Sequence, residues 1–555
     1  MTLRALFFVG LLSLTGVTTA WRDSTSPQGS YQVARSELGM VVTAHPLATW
    51  AGVRVLEQGG NAADAAVAAA FAVSVVRPSM NSIGGRNQIL VREPGGAVFG
   101  IDGTTQVPTD YDLSKASRAS YGYATIGTPG ALAGLMRLHD EHGSLPIETV
   151  MAPAIEYAEN GFRLLPGQAR FHQMSTRQLA ESEGAREAYL KPDSSPYRAG
   201  ELLRQPDLAR TLRLIAEGGA DVFYKGEIAH AIAADMAAKG GAVTLKALAD
   251  YVAEDSRIVR GSYRGYDLVG LDVPASGAIA IQALHILENF KRSELSAEEW
   301  ALAIGQAIAL AIPDLAVLGS DTAAERATSK EWAAIQAGKI RLGARVGTPV
   351  GFDAESVPSI HEQEGYTTQV SVADSSGMVV SLTQTIGPAM GSKVVTPGLG
   401  FLYAVTLGGY LSEDMVPGER ARSGITPLLV LNDGEPVLVL GAAGGLRIIS
   451  AVVQVVSRVV DDNMSFPEAL AAPRVHPSLD STLSFSGLAM ETVPHRGWAE
   501  EQVSVVERLG FRVISTSRAG SFGRVQGIRY YPMTGVWEGV SDPGSEGAAF
   551  GPGSD

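Results

Sequence analysis

The sequence predicts a layered α/β fold, on three observations. The chain has 555 residues, 45% hydrophobic and 18% charged, which is enough apolar surface for a large core and too much for a disordered chain. Up to Asp321 it reads mostly as helices, two of them Ala-rich and apolar nearly all round, the pattern of helices buried inside a protein. After Gly365 it turns strand-rich. Strands in both parts are able to share one sheet system, which gives a layered α/β fold.

Taken in order, residues 1–20 (MTLRALFFVGLLSLTGVTTA) carry Arg4, an apolar run from Ala5 to Leu14, and small residues at Thr18 and Ala20. This is the layout of an export signal cut near Ala20–Trp21. The alternative is a membrane anchor, for which the run is short. Trp21 to Glu37 reads as a polar lead-in. GMVVTAHP (39–46) is a short buried strand, and the helix that follows stops at a Gly pair. Residues 61–78 form an Ala-rich helix, with Asp64 suited to its positive end. NSIGGRNQILVRE (81–93) is a Gly loop entering a strand, and GGAVFGIDG is its antiparallel partner. From Ala131 to Phe290 helices dominate, and Trp300–Asp321 is the second Ala-rich one. Thr322–Gly365 has no strong period and reads as an exposed linker. TTQVSVAD, MVVSLTQT, GFLYAVTL, TPLLVLND and EPVLVLGAAGG then read as strands.

Several function classes are disfavoured or excluded. A net charge of −14 argues against a general nucleic-acid or anionic-membrane partner. There is no cysteine, so disulfides, thiolate chemistry and Cys-ligated zinc are ruled out. No GxGxxG, P-loop, GxSxG, HExxH or EF-hand pattern occurs. The histidines are scattered singly, and His45, His139 and His142 read as structural or solvated, so no metal or cofactor is expected.

Two stretches carry possible chemistry. GAAGGLRI places Gly444 and Gly445 in a turn between strand and helix, where two unobstructed N–H groups suit a developing oxyanion. An ordinary tight turn is the plain alternative. In YTTQV, a threonine pair in a strand is unremarkable. Cutting before Thr367 would change that. The freed α-amine, with an ordinary pKa of about 7.7–8.0, would lie beside the Thr367 hydroxyl and serve as its base, needing no His or Asp.

Beyond these local readings the chain resembles the γ-glutamyltranspeptidases, N-terminal-nucleophile hydrolases that include cephalosporin acylases. The similarity lies in GMVVTAHPLATWAGVRVLEQGGNAADAAVAAAFAVSVVRP, IGTPGALAGLMRLHDEHGSLPIETVMAPAIEYAENGF, SYRGYDLVGLDVPASGAIAIQALHILENF, YTTQVSVADSSGMVVSLTQTIG, and GAAGGLRI followed by AAPRVH. The resemblance implies a four-layer α-β-β-α sandwich and a precursor that cuts itself between Tyr366 and Thr367. Residues 21–366 would form the large subunit and 367–555 the small one, a heterodimer made from one chain. It implies Thr367 as nucleophile, Thr385 as the hydroxyl that positions it, and Gly444 and Gly445 as oxyanion donors. The substrate would be a small amide, by family default a γ-glutamyl compound such as glutathione.

Departures from the family pattern fall on the groups that read glutamate. The usual Arg after the Asp-Gly turn is Thr104, the Asn beyond Thr385 is Gly387, and the Asp for the α-amine is Gly409. Of the carboxylate-holding Ser pair, Ser423 remains and Gly424 replaces the other. TTH has become TTQ with Gln369, and the Gly-rich loop has become GGRN. Each lost charge-assisted hydrogen bond removes about 1.5–3 kcal/mol. Ser423, Gln369 and Arg86 are the remaining substrate-binding candidates; Arg86 is either a replacement cation or a solvated loop residue. An active amidase of altered acyl specificity is expected. A cephalosporin-acylase-like or other non-glutamyl amidase and an inactive binding or scaffold member are the alternatives.

Overall fold

The computed structural model describes residues 32–343, 366–410, 415–517 and 521–554. The expected signal (1–20) and the second half of the expected linker (344–365) lie outside the described residues.

The strands are β1 (Val33–Ser36), β2 (Gly39–Thr43), β3 (Arg86–Arg92), β4 (Val98–Gly103), β5 (Phe162–Arg163), β6 (Leu202–Leu203), β7 (Glu254–Asp255), β8 (Ile258–Tyr263), β9 (Tyr266–Leu271), β10 (Tyr366–Asp374), β11 (Val379–Gly387), β12 (Leu428–Asn432), β13 (Glu435–Ala443), β14 (Val475–Leu479), β15 (Phe485–Glu491), β16 (Val513–Thr516), β17 (Arg524–Tyr531), β18 (Val536–Ser541) and β19 (Ala548–Phe550). Fourteen of them build two seven-stranded sheets, ordered β1-β18-β17-β13-β12-β9-β8 and β19-β2-β10-β11-β3-β4-β7. Both sheets mix strands from before and after residue 366. In the second sheet, β10 lies between β2 and β11, and β11 lies between β10 and β3.

Three apolar cores mark the layers. Helices Pro46–Glu57, Ala62–Val76, Ala131–His142 and Ile147–Asn160 cover the outer face of the β10/β11 sheet. Every residue of Ala62–Val76 is buried, and its start is closed by a capping box of Asn61 and Asp64. Helices Gly277–Leu287, Ala297–Ala311 and Arg447–Val460 cover the other sheet. Met40, Val42, Leu90, Leu429, Val439 and Trp537 fill the gap between the sheets. This is the α-β-β-α sandwich. Among the described residues one helical run, Ala297–Ala316, is long and apolar enough to cross a membrane, and most of it is buried inside the protein.

Three local expectations change. The polar lead-in contains β1, an edge strand paired with β18; its weak alternation gave no strong signal. The first part of Thr322–Gly365 is helical, in Asp321–Ala327 and Lys330–Ala337, burying only narrow, mostly Ala faces too short to show a period. GFLYAVTL makes only isolated bridges, Gly84 with Tyr403 and Ile126 with Val405. Gly398, Gly400 and Gly408, all at positive φ, turn the backbone out of a continuous ladder.

Candidate active site

Strands β10 and β11 form a hairpin closed by Asp374, whose Oδ1 accepts from the Ser376 N–H and hydroxyl and from the Met378 N–H. That turn sets the register, pairing Thr367 with Thr385, Gln369 with Thr383 and Ser371 with Ser381. Directly opposed residues share a sheet face, so one face carries a ladder of six hydroxyl and amide side chains. The ladder points at the other sheet. The Ser371 hydroxyl donates to the Gln526 carbonyl at 2.9 Å and the Ser381 hydroxyl to the Leu440 carbonyl at 3.0 Å.

At the open end of the ladder sits the threonine pair. The Thr367 hydroxyl donates to Thr385 Oγ1 at 3.3 Å, the Gly387 N–H donates to the same oxygen at 3.0 Å, and the Thr385 hydroxyl donates to the Tyr366 carbonyl at 2.5 Å. Thr385 thereby uses its one proton and both lone pairs. Thr367 is only 4% exposed. The Tyr366 ring meets Phe171 edge-on at 5.1 Å.

The glycine pair closes β13 from the facing sheet. A Cβ on Gly441 would stand 2.3 Å from Gln369 Oε1, so Gly441 lies against Gln369. Gly444 and Gly445 adopt φ of +149° and +61°, open to glycine without strain. Among the described residues neither N–H has an acceptor outside the sheet ladders and helices. Ser423 is held by its N–H on the Pro274 carbonyl at 2.9 Å. A Cβ on Gly424 would fall 2.5 Å from the Gly445 carbonyl oxygen, so this position has no room for a side chain.

The other candidates are placed as follows. Gln369 is fully buried, its amide spent on the Val370 carbonyl, Ser371, Ser381 and Thr383. Arg86 opens β3 directly opposite Thr385 and is 6% exposed. Thr104 is sealed in: its hydroxyl accepts from Gln88 and its carbonyl from the Tyr251 hydroxyl. Asp102 is occupied by Arg420, at 3.0 Å, and by Gln88. Gly409 is exposed. Among the described residues no cluster of three acidic or His side chains is arranged to hold a metal. The sequence reading missed Phe171, the Gly424–Gly445 contact, and Arg524, which faces the gap opposite Ala443. The alternation of polar residues in TTQVS and SLTQT was the available signal for the ladder; the other three depend on chain segments far apart in sequence.

A family model described as gamma-glutamyltranspeptidase matches residues 48–551. The chain belongs to the γ-glutamyltranspeptidase family. The glutathione hydrolase proenzyme of Escherichia coli (strain K12) is 30% identical over 558 residues, covering 93% of this chain and 92% of that relative. The Acylase ACY 1 proenzyme of Pseudomonas sp. (strain SE83) is 33% identical over 475 residues, covering 80% and 83%. The crystal structure of cephalosporin acylase from Bacillus halodurans superposes with a TM-score of 0.83 at 26% identity, covering 95% of this chain and 98% of that one. This member of the γ-glutamyltranspeptidase family therefore has the N-terminal-nucleophile hydrolase fold and is a hydrolase/acyltransferase, with relatives named both for glutathione and for acylase activity.

Proposed function

We propose that the chain cuts itself between Tyr366 and Thr367 and then works as a threonine amidase with altered acyl specificity. The observation that carries this reading is the hydrogen-bond chain from the Thr367 hydroxyl through Thr385 to the Tyr366 carbonyl. It points a nucleophile's proton toward Thr385 and polarises the carbonyl to be attacked. The Thr367 oxygen adds to the Tyr366 carbonyl carbon, the C–N bond to Thr367 breaks, and the nitrogen takes up the proton. Water then hydrolyses the ester, leaving a Tyr366 carboxylate and a free Thr367 amine and hydroxyl.

The mature reaction repeats this geometry. A substrate carbonyl takes the place vacated by the Tyr366 carbonyl, the Thr367 amine accepts the hydroxyl proton, and the same proton passes to the leaving amine. Gly444 and Gly445 donate to the oxyanion. The acyl group leaves to water or to an acceptor amine. γ-Glutamyl compounds such as glutathione are the family's default donors. Here Thr104 is locked into structural bonds and Gly424 has no space for a hydroxyl-bearing side chain, which supports a changed acyl pocket. The apolar run at residues 5–14 supports export of the precursor.

Intact mass of the purified protein tests the reading. Two chains are expected, the smaller beginning at Thr367, and T367A is expected to stay in one piece. An uncut wild-type chain, or a cut one that turns over no amide in a broad panel, would favour the scaffold alternative.

A further inference from the structure

We propose that Phe171 recognises an aromatic ring on the acyl group, so that preferred donors are amides of 3-arylpropanoic acids. This rests on the Thr367 reading and adds the substrate class. The uncut chain itself supplies the first observation. Tyr366 is the acyl side of the bond to be cut, and its ring meets Phe171 edge-on, with 5.1 Å between centroids and 82° between planes. Aromatic quadrupoles favour this arrangement. In Tyr366 the Cα and Cβ atoms separate the carbonyl from the ring. A substrate whose carbonyl replaces that of Tyr366 reaches Phe171 across the same two-carbon spacer, and such an acyl group is a 3-arylpropanoyl.

The second observation is that Phe171 is held in place without help from Tyr366. It sits on helix Pro166–Glu181. At the start of that helix the Gly167 N–H donates to Glu546 Oε1 at 2.6 Å, and the Ser79 hydroxyl donates to Gln168 Oε1 at 2.7 Å. The same short segment fastens the end of β11. The Met80 carbonyl accepts from the Ile386 N–H at 3.3 Å, and the Ser79 carbonyl accepts from the Met390 N–H at 2.9 Å. Helix and strand are thus tied to one segment, and the place of Phe171 relative to Thr385 does not depend on the Tyr366 ring. The third observation is the apolar character of the surroundings. Phe171 is half-buried, and Met174, one turn along the helix, is exposed. Gly387, which pairs with Tyr366, is half-buried, as are Pro388 and Ala389, and none of the three has a polar side chain. In turnover the Thr367 hydroxyl oxygen adds to the arylpropanoyl carbonyl carbon, the C–N bond breaks, and the Thr367 amine passes the hydroxyl proton to the leaving nitrogen. Water then hydrolyses the ester and releases the arylpropanoate.

The test compares p-nitroanilides of phenylacetate, 3-phenylpropanoate, 4-phenylbutyrate, 3-cyclohexylpropanoate, butyrate and γ-glutamate with cleaved wild type, F171L and F171Y. Wild type is expected to prefer 3-phenylpropanoyl over butyryl by about 30-fold or more in kcat/KM, the effect of burying a ring in an edge-on contact. The shorter and longer phenyl chains should both be poorer donors, because their rings fall short of Phe171 or overshoot it. Phenyl should exceed cyclohexyl by about threefold to tenfold, the part owed to the ring quadrupole. F171L should bring that ratio close to one, and F171Y should keep it. Free 3-phenylpropanoate should compete with wild type better than butyrate does, which needs no variant. Equal turnover of the three phenyl chain lengths, an unchanged phenyl-to-cyclohexyl ratio in F171L, or a wild-type preference for γ-glutamyl over 3-phenylpropanoyl overturns the proposal and leaves the Thr367 reading standing. An uncut wild type, or a cut one that turns over none of these anilides, removes the Thr367 reading and this one with it.

Discussion

A single Thr385 hydroxyl links Thr367 to the Tyr366 carbonyl. It accepts from Thr367 and from the Gly387 N–H and gives its proton to the Tyr366 carbonyl. Valine has nearly the same shape and none of these bonds. T385V is therefore expected to fold but to cut itself about 10²–10³-fold more slowly, the usual cost of losing one donor to a developing oxyanion. T385S should recover most of the rate. The fraction of cut chain over time, read by mass, checks both, and a normal rate in T385V would remove Thr385 from self-cleavage. Gln369 illustrates the opposite case. Its position two residues after Thr367 made it a substrate-binding candidate, yet its amide is consumed between the sheets. Strand alternation shows that Thr367, Gln369 and Ser371 share a face. It does not show that the face is covered by another sheet, because that cover comes from β13 and β17.

At the scale of elements, the turn from β13 into helix Arg447–Val460 is positioned by its neighbours rather than by its own sequence. Gly424 backs directly onto the Gly445 carbonyl. A serine there must push the Gly445 peptide and its N–H out of line. G424S is expected to lower kcat about 10²-fold through the displaced donor, with a thermal midpoint within a few degrees of wild type. Full activity in G424S would separate this turn from the oxyanion site. The glycine pair itself was legible in GAAGGLRI, because a strand, a tight turn and a helix leave a strong local pattern. That it closes a strand of the sheet facing β10 was not, because the two strands belong to different sheets. The helices at Asp321–Ala327 and Lys330–Ala337 were missed for a related reason: each is only about two turns long and shows too little apolar periodicity to be distinguished from a loop.

The whole molecule couples its stability to pH through buried histidines. His45 caps helix Pro46–Glu57, accepting the Leu47 N–H at Nδ1. Burial, helped by the nearby Arg77 charge, pushes its pKa down to about 3, and burial lowers His172 to about 4. An unfolded chain protonates these rings near pH 6.5 while the folded one does not. Their contribution is thus complete above that pH and is lost as pH falls toward the folded values, at up to about 1.4 kcal/mol per pH unit for each ring. H45N keeps a capping side chain and removes one titrating group. Urea melts at pH 7, 6 and 5 should show a shallower loss of stability for H45N than for wild type. Identical slopes would mean that His45 does not contribute.

By itself the sequence determined the layered α/β class, the buried Ala-rich helix at 62–76, the β10–β11 hairpin and the glycine turn after β13. Each of these is written in spacing a few residues long, where backbone geometry and burial act locally. Family resemblance added the sandwich, and it suggested the roles proposed for Thr367 and Thr385. Only the tertiary structure decided that Gln369 is spent inside the protein, that Gly424 makes room for Gly445, and that Arg86 stands across from Thr385. Those facts depend on which strands are neighbours and on how two sheets face each other. Register between segments hundreds of residues apart is set by the packing of the entire chain, and no local stretch encodes it.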